Sequence, residues 1–132
     1  MYSMTIRGDK TLKEIQEEFS LNYPFLRIEF EGEIVHNNGP VNLLKKGNMS
    51  GEERIWHFAP AGSPCELELL PGQTITELEQ KFSEVFNLKI QIFCQSGNIW
   101  IKAMKAKYWS LAYQNERAER LNGKMGNMGL AG

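Results

Sequence analysis

The stretch Thr11–Ser20, TLKEIQEEFS, is nearly repeated 63 positions later as Thr74–Ser83, TITELEQKFS. Both copies begin with Thr-x-x-Glu, the capping box of an α-helix. In that motif the threonine hydroxyl accepts a hydrogen bond from the amide three residues on, and the glutamate carboxylate reaches back to the threonine amide. Two backbone donors of the first turn, which have no partner within the helix, are thereby satisfied. Each copy therefore predicts a helix that starts after its threonine.

The apolar residues of both copies recur in steps of three and four, as on one face of a helix. They are Leu12, Ile15 and Phe19 in the first copy, and Ile75, Leu78, Phe82, Val85 and Phe86 in the second. Each predicted helix therefore has one apolar stripe to pack against a sheet.

Apolar and polar residues alternate before and after each predicted helix, which is the pattern of half-buried strands. The repeated unit is therefore strand–helix–strand, at about residues 2–31 and again at 65–102. We predict an α+β fold in which the duplicated βαβ units form one mixed sheet with two helices on one face. A ferredoxin-like split βαβ sheet fits best, and a mixed sheet with another strand order is the alternative. The outward strand positions are mostly charged: Arg7, Arg27, Glu29, Glu66, Glu68, Lys89 and Gln91.

The second unit continues as CQSGNIWIKA, residues 94–103, which predicts a C-terminal β-hairpin extension with a fifth strand. The two-residue turn is either Ser96-Gly97 or Gly97-Asn98, and the sequence leaves both open. The first turn would place Trp100 directly opposite Phe93, and the second would place these two aromatic residues diagonally.

In both registers Ile99 and Ile101 are expected to face the core, while Phe93 and Trp100 lie on the outer face. Two aromatic rings on an otherwise charged face are not explained by packing between helices and sheet. They are the first feature of the sequence that points to a binding surface.

The repeat and its flanks predict a single duplicated domain over residues 1–124. An insert at 32–63, rich in Gly, Asn and charged residues, separates the two units. Within it, VNLL at 41–44 suggests one turn of helix, and RIWHF at 54–58 suggests a short edge strand.

The C-terminal segment, residues 108–122, predicts a short helix that Ser110 caps and Gly123 ends. Residues 125–132 are rich in Gly and Met and predict a disordered tail. Charge is uneven along the chain: residues 1–99 carry a net charge of −5, and residues 100–132 carry +4. Such asymmetry favours a basic C-terminal segment that lies on an acidic body.

The composition is that of an ordinary globular domain of 132 residues, with 42% hydrophobic and 23% charged residues. It contains no apolar run long enough to span a membrane and no secretory signal pattern. Cys65 and Cys94 are too few for a disulfide scaffold and lack the spacing of a zinc site. Both fall on inward strand positions, where a buried, unreactive thiol is expected. We therefore expect reduced thiols and a cytoplasmic location.

The motif GDxTLxEIxxxF from Gly8, its second copy from Thr74, and the segments SGNIW and WSLAYQN resemble a group of small uncharacterised bacterial proteins. Those proteins carry one or two such strand–helix–strand units. The resemblance covers both units and the start of the C-terminal segment, but not the insert. It implies a bacterial, cytoplasmic, duplicated domain. No activity is known for the group, so the resemblance assigns no functional residue.

The sequence contains none of the usual catalytic constellations. Its two histidines, His36 and His57, have no ligand or base at a recognisable spacing, and nucleotide-binding loops, zinc-protease motifs and nucleophile elbows are absent. We therefore expect no enzymatic activity, no cofactor and no metal; a small enzyme is the least favoured alternative.

Single-stranded nucleic acid is the main alternative ligand, because residues 100–109 interleave lysines with aromatic residues. Against this, the expected sheet presents Glu66 and Glu68 where an RNA-binding domain of this kind stacks bases. The acidic body would also repel phosphate. Nucleic-acid binding is therefore the less favoured prediction.

The sequence instead favours a non-enzymatic protein-binding or assembly module, whose partner is another protein or a second copy of the chain. Exposed Trp and Tyr residues with charged surroundings are typical anchors of protein interfaces. The candidate interaction patch consists of Phe93, Trp100, Lys102, Lys105, Lys107, Tyr108 and Trp109. Alternatively, the C-terminal segment folds back so that Trp109 or Tyr113 covers Phe93 and Trp100.

Overall fold

The computed structural model describes residues 2–31 and 51–131, with side chains up to Gly123. The protein is α+β. Its strands are β1 (Met4–Arg7), β2 (Leu26–Glu31), β3 (Glu66–Leu69), β4 (Lys89–Ser96) and β5 (Ile99–Lys102). Its helices are α1 (Leu12–Asn22), α2 (Ile75–Phe86) and α3 (Leu111–Ala131), with a 3₁₀ helix at Ile55–Phe58. The expected turn of helix at 41–44 and His36 lie outside the described residues.

The described strands form two antiparallel sheets rather than the single mixed sheet that was expected. β1 pairs with β3, while β2, β4 and β5 form a second sheet in the order β2-β4-β5. The first unit therefore contributes one strand to each sheet, and the second contributes β3 to one sheet and β4 and β5 to the other. The prediction of one sheet was wrong because alternation shows which face of a strand is buried but not which strand lies beside it.

The strand registers are symmetric under exchange of the two units. Thr5 pairs with Glu68, and these positions are 63 apart, as are the two helix caps. In the other sheet Glu29 pairs with Gln91, and these positions are 62 apart. Equivalent positions of the two units therefore face each other at the centre of each ladder. Every β1–β3 and β2–β4 hydrogen bond joins a strand of one unit to a strand of the other.

Helices α1 and α2 begin as predicted. The Thr11 hydroxyl accepts from the Glu14 amide at 3.1 Å, and the Glu14 carboxylate accepts from the Thr11 amide at 3.2 Å, which completes the capping box. The Thr74 hydroxyl accepts from the Glu77 amide at 3.2 Å, but the Glu77 carboxylate accepts from the Thr74 hydroxyl instead of the amide. The first cap is therefore complete and the second is partial.

The apolar stripes of these helices form the core together with the inward faces of the sheets. All the predicted stripe residues are buried except Val85, which is partly buried. Helix α1 packs on β2, and α2 packs on β3 and β4. Phe30 and Phe82 meet edge to face with ring centroids 5.7 Å apart, so the core is continuous between the two units.

Three local predictions differ from the structure. Residues 55–58 form a 3₁₀ helix and not an edge strand, because Ile55 and Phe58, three positions apart, are both buried while the two residues between them are exposed. The alternation that places Met4 and Ile6 inward also predicts an inward Tyr2, but Tyr2 lies before β1 and is 67% exposed. Cys65, also expected on an inward strand position, precedes β3 with a positive φ of 52° and is half-buried.

Helix α3 continues through Gly123 to Ala131, where a helix end and a disordered tail were predicted. A glycine inside a helix costs only about 1 kcal/mol relative to alanine, which does not by itself end the helix. The start of α3 is fixed by the Leu111 amide, which donates to the Gln73 carbonyl at 2.8 Å, and its body packs on β4 and β2.

Candidate functional site

Strand β4 passes through a turn at Gly97-Asn98 into β5, which settles the register that the sequence left open. Ser96 pairs with Ile99, so Trp100 lies opposite Gln95 and Phe93 lies opposite Lys102. Gly97 has a φ of 62°, as the first position of a type II′ turn requires. Phe93 and Trp100 are therefore diagonal neighbours on one face of the sheet, with Lys102 beside both.

Ile99 and Ile101 lie on the face of the sheet that carries the core, but they are exposed, contrary to prediction. Ile99 is 60% exposed and Ile101 is 45% exposed, while Trp100 between them is 38% exposed. The reason is position: β5 is the last strand of its sheet, and the helices pack on β2, β3 and β4. Strand β5 therefore presents apolar side chains on both of its faces.

We define the β5 patch as Phe93, Ile99, Trp100 and Ile101. Sequence reasoning found its two aromatic members and missed its two isoleucines, because alternation alone assigned them to the core. The signal that would have found them is the absence of a further alternating run after Lys102. That absence marks β5 as an edge strand.

Lys102 and Lys105 line a cavity of about 180 Å³ at the end of the patch, next to the start of β4. Its other charged walls are Glu31, Glu79 and Lys89. The Lys105 ammonium is 2.8 Å from the Glu79 carboxylate. Positive and negative groups thus alternate around the cavity, so it does not form a uniformly basic surface.

The remaining candidate residues, Lys107, Tyr108 and Trp109, lie in the segment that joins β5 to α3. Lys107 places its ammonium 5.5 Å from the ring centroid of Tyr108, which is 85% exposed. Trp109 contacts Tyr113, with ring centroids 5.3 Å apart, and the Arg117 guanidinium lies 4.8 Å from the Trp109 ring. The ring contacts recorded for Trp109 are thus with its own C-terminal segment, whereas the fold-back alternative required contacts with Phe93 or Trp100.

Two asparagines of α3 fix it to the β2-β4-β5 sheet, and one of them, Asn122, holds the turn between β4 and β5. The Asn122 side chain accepts from the Gly97 amide and donates to the Gln95 carbonyl, both at 2.8 Å. Nearer the start of α3, the Asn115 side chain accepts from the amide of Phe25, the residue before β2, at 2.8 Å. Asn115 and the adjacent buried Gln114 belong to the WSLAYQN segment, which therefore has a structural role in joining α3 to the sheet.

The titratable groups outside the patch form no recognisable catalytic arrangement within the described part of the chain. The His57 Nδ1 atom lies 3.3 Å from a Glu53 carboxylate oxygen, and its ring stacks on exposed Trp56. Both cysteines are free thiols. Burial raises the pKa of Cys94, and the Arg117 charge opposes this with a smaller effect. The raised pKa keeps the Cys94 thiol protonated and weakly nucleophilic. Residues 2–31 and 51–131 contain no group of three or more side chains able to hold a metal ion.

Comparison with protein-family models, with curated proteins and with solved structures gave no match. Among the described helices, none combines the length and apolar character that crossing a membrane requires.

Proposed function

We propose that this chain is a non-enzymatic protein-binding or assembly module in which an internally duplicated scaffold, with its C-terminal hairpin extension, presents the β5 patch to a protein partner. The observation that carries the proposal is the exposure of three consecutive apolar residues, Ile99 to Ile101, on an edge strand. An exposed edge strand with apolar side chains is a template for pairing with another chain. The proposal assigns no catalytic residue.

The surroundings of the patch support protein binding. Gln95 lies opposite Trp100, and Arg27, Lys102 and Gln91 lie on the same face, so apolar anchors have a polar and charged border. Protein interfaces commonly combine a few aromatic or aliphatic anchors with a polar rim. The turn at the end of the patch is fixed by Asn122, so the anchors are held in place before a partner binds.

The test is affinity capture with three forms of the protein. Trp100→Ala removes the largest anchor, and Trp56→Ala is the matched control because Trp56 is 54% exposed on the 3₁₀ helix, outside the β2-β4-β5 sheet. We expect a protein that is retained by the wild type and the control but lost with Trp100→Ala. Identical retention by all three forms would remove the β5 patch from the proposal.

Single-stranded nucleic acid is the second candidate ligand because Lys102, Lys105 and Lys107 are all exposed, and Lys102 and Lys107 lie next to Phe93 and Tyr108. The carboxylates of Glu31 and Glu79 in the same region favour protein binding instead. A labelled single-stranded oligonucleotide titrated at low salt distinguishes the two. Binding that weakens steeply with salt and is lost in Lys102→Ala/Lys107→Ala would establish the nucleic-acid function.

The two free thiols support a further part of the proposal, which places the protein in a reducing compartment such as the bacterial cytoplasm. Mass measurement of the protein from its native cells, after rapid alkylation, is the direct check. We expect Cys65 and Cys94 both to carry the alkyl group. A disulfide between them would argue for an oxidising compartment.

A further inference from the structure

The outer edge of β5 presents backbone groups in a defined pattern. The Ala103 amide donates to the Ile92 carbonyl at 2.9 Å, and Cys94 pairs with Ile101 in the same ladder. In an antiparallel pair, successive residues direct their backbone groups alternately toward and away from the neighbouring strand. The backbone amides and carbonyls therefore point toward β4 at Ile99, Ile101 and Ala103. At Trp100 and Lys102 the backbone amides and carbonyls point to the outer edge. Among the described strands, none lies beyond that edge.

The sequence of β5 is self-complementary when read antiparallel. If two copies of the strand are aligned about Trp100, Ile99 of each lies opposite Ile101 of the other, and Trp100 lies opposite its own copy. Trp100 directs its amide and carbonyl outward, so the central pair can exchange two hydrogen bonds across the twofold axis.

Charge also favours this register. With Trp100 at the centre, Lys102 lies opposite Asn98, so no two like charges face each other. Centring the pair on Lys102 would place two ammonium groups directly opposite, which is unfavourable. The apolar side chains of Ile99 and Ile101, exposed by 60% and 45%, would cover one another on the face that carries the core.

We propose that the occupant of the β5 edge is a second copy of this chain, paired antiparallel through β5 with Trp100 on the twofold axis. This inference rests on the proposed function and names the partner. Each β2-β4-β5 sheet then continues into that of its partner as one six-stranded antiparallel sheet. The same surface is used twice, as in other twofold dimers, and the assembly closes at two copies.

Sedimentation of the full chain over a range of concentrations tests the association. We expect the sedimenting mass to double as the concentration rises. Trp100→Pro should remain monomeric, because proline lacks the amide that faces the outer edge while all bonds to β4 are kept. A wild type that stays monomeric at the highest attainable concentration would overturn the proposal.

Charge exchange tests whether the pairing runs through β5 and does not depend on the proline variant. Ile99→Lys/Ile101→Lys and Ile99→Glu/Ile101→Glu each place like charges opposite one another, so each should be monomeric alone. Mixed together, they should form a one-to-one dimer that weakens at high salt. Far-ultraviolet circular dichroism establishes that both are folded, as the exposure of the two positions predicts. If the wild type dimerises but the mixture does not, the dimer interface lies elsewhere and the proposal is wrong.

Two outcomes separate failure of this inference from failure of the proposed function. If the wild type is monomeric but Trp100→Ala selectively loses a different protein in affinity capture, self-pairing fails and the protein-binding function stands. If the wild type is monomeric and capture is the same for the wild type, Trp100→Ala and Trp56→Ala, both fail.

Discussion

Tyr23 is fully buried at the end of α1, yet its hydroxyl has no hydrogen-bond partner among the described residues. Its ring packs on Phe19 with centroids 5.0 Å apart. A buried polar group without a partner costs about 1–3 kcal/mol, while the ring itself is stabilising. Tyr23→Phe keeps the ring and removes the hydroxyl, so we expect the free energy of unfolding to rise by about 1 kcal/mol.

Urea denaturation measures this change, and Tyr108→Phe is the control because Tyr108 is 85% exposed. We expect no change in the control. A lower free energy of unfolding in Tyr23→Phe would mean that the hydroxyl has a partner, for example an ordered water.

Alkaline pH should destabilise the protein through the same residue. Burial raises the pKa of Tyr23 to about 12 from an ordinary 10.0. Between these values the unfolded chain has lost the proton and the folded chain retains it, so the free energy of unfolding falls as pH rises. Each pKa unit corresponds to about 1.4 kcal/mol, so the loss over the whole window is roughly 3 kcal/mol. Tyr23→Phe lacks this loss, so the stability difference between the two proteins should grow steadily above about pH 10. A constant difference across that window would contradict the buried phenol.

The two helix caps differ in completeness, and this difference can be measured. Thr11 takes part in a full capping box, whereas Thr74 accepts only from the Glu77 amide. A hydrogen bond of this kind contributes about 0.5–1.5 kcal/mol net. Because only Glu14 accepts from the amide of its cap residue, we expect Glu14→Ala to lower the free energy of unfolding in urea denaturation more than Glu77→Ala does. Equal losses would show that the glutamate's bond to the cap amide adds nothing to stability.

Glu14 provides a local readout of the same cap. Hydrogen bonds from the Thr11 hydroxyl and amide lower the pKa of Glu14 below its ordinary 4.5. Its contribution to stability is therefore present above that value and is lost as pH falls through the folded pKa. Carboxyl carbon NMR should show the Glu14 midpoint rising in Thr11→Ala. An unchanged midpoint would mean that the hydroxyl does not bond to this carboxylate in solution.

Docking of α3 depends on a buried side-chain hydrogen bond. Asn115 is 3% exposed and accepts from the Phe25 amide at 2.8 Å. Asn115→Ala would leave that amide without its partner, at a cost of about 1–3 kcal/mol. Hydrogen exchange of the Phe25 amide should become faster, and thermal denaturation should occur at a lower temperature. Asn98→Ala, at an exposed turn position, is the control in which neither should change.

At the level of elements, the sequence predicts what depends on neighbouring residues and fails where position in the fold decides. The N-caps at Thr11 and Thr74 and the buried stripes depend on local spacing, and the structure confirms them, with the capping box complete only at Thr11. The exposure of Ile99 and Ile101 depends on β5 being an edge, which no periodicity records. For residues 54–58, five residues are too few to separate a strand from a 3₁₀ turn by apolar spacing alone.

The whole molecule differs from the predicted architecture in how its units combine. The repeat predicted two units and the structure has their strands, but β1 pairs with β3 and β2 with β4, in separate sheets. Both arrangements bury the same faces of the same strands, so the alternation pattern is identical for each. Which strands pair depends on packing between distant parts of the chain, which the alternation does not record. The edge position of β5 is also set by the whole fold, so the sequence predicted the two aromatic residues of the β5 patch but not the exposure of Ile99 and Ile101.

The interleaved pairing predicts that neither unit folds without the other. A cut after Gly62 separates them at an exposed turn, where no atom lies within 4 Å of the position that a Cβ would take. Fragment 1–62 then lacks the partners of β1 and β2, and helices of 11 and 12 residues are only marginally stable alone. We expect both fragments to be largely unfolded separately by circular dichroism and to regain helical signal when mixed one to one.

Matched variants make this test specific to the core. Ile28→Lys in the first fragment places a charge at a fully buried position of β2, opposite Ile92 of β4, and should prevent recovery. Glu17→Ala, on the exposed side of α1, should leave recovery intact. If fragment 63–132 alone showed a cooperative thermal transition, β4, β5 and the helices around them would form a stable unit without β2. The strand pairing between units would then contribute to the arrangement of the two halves and not to the folding of each.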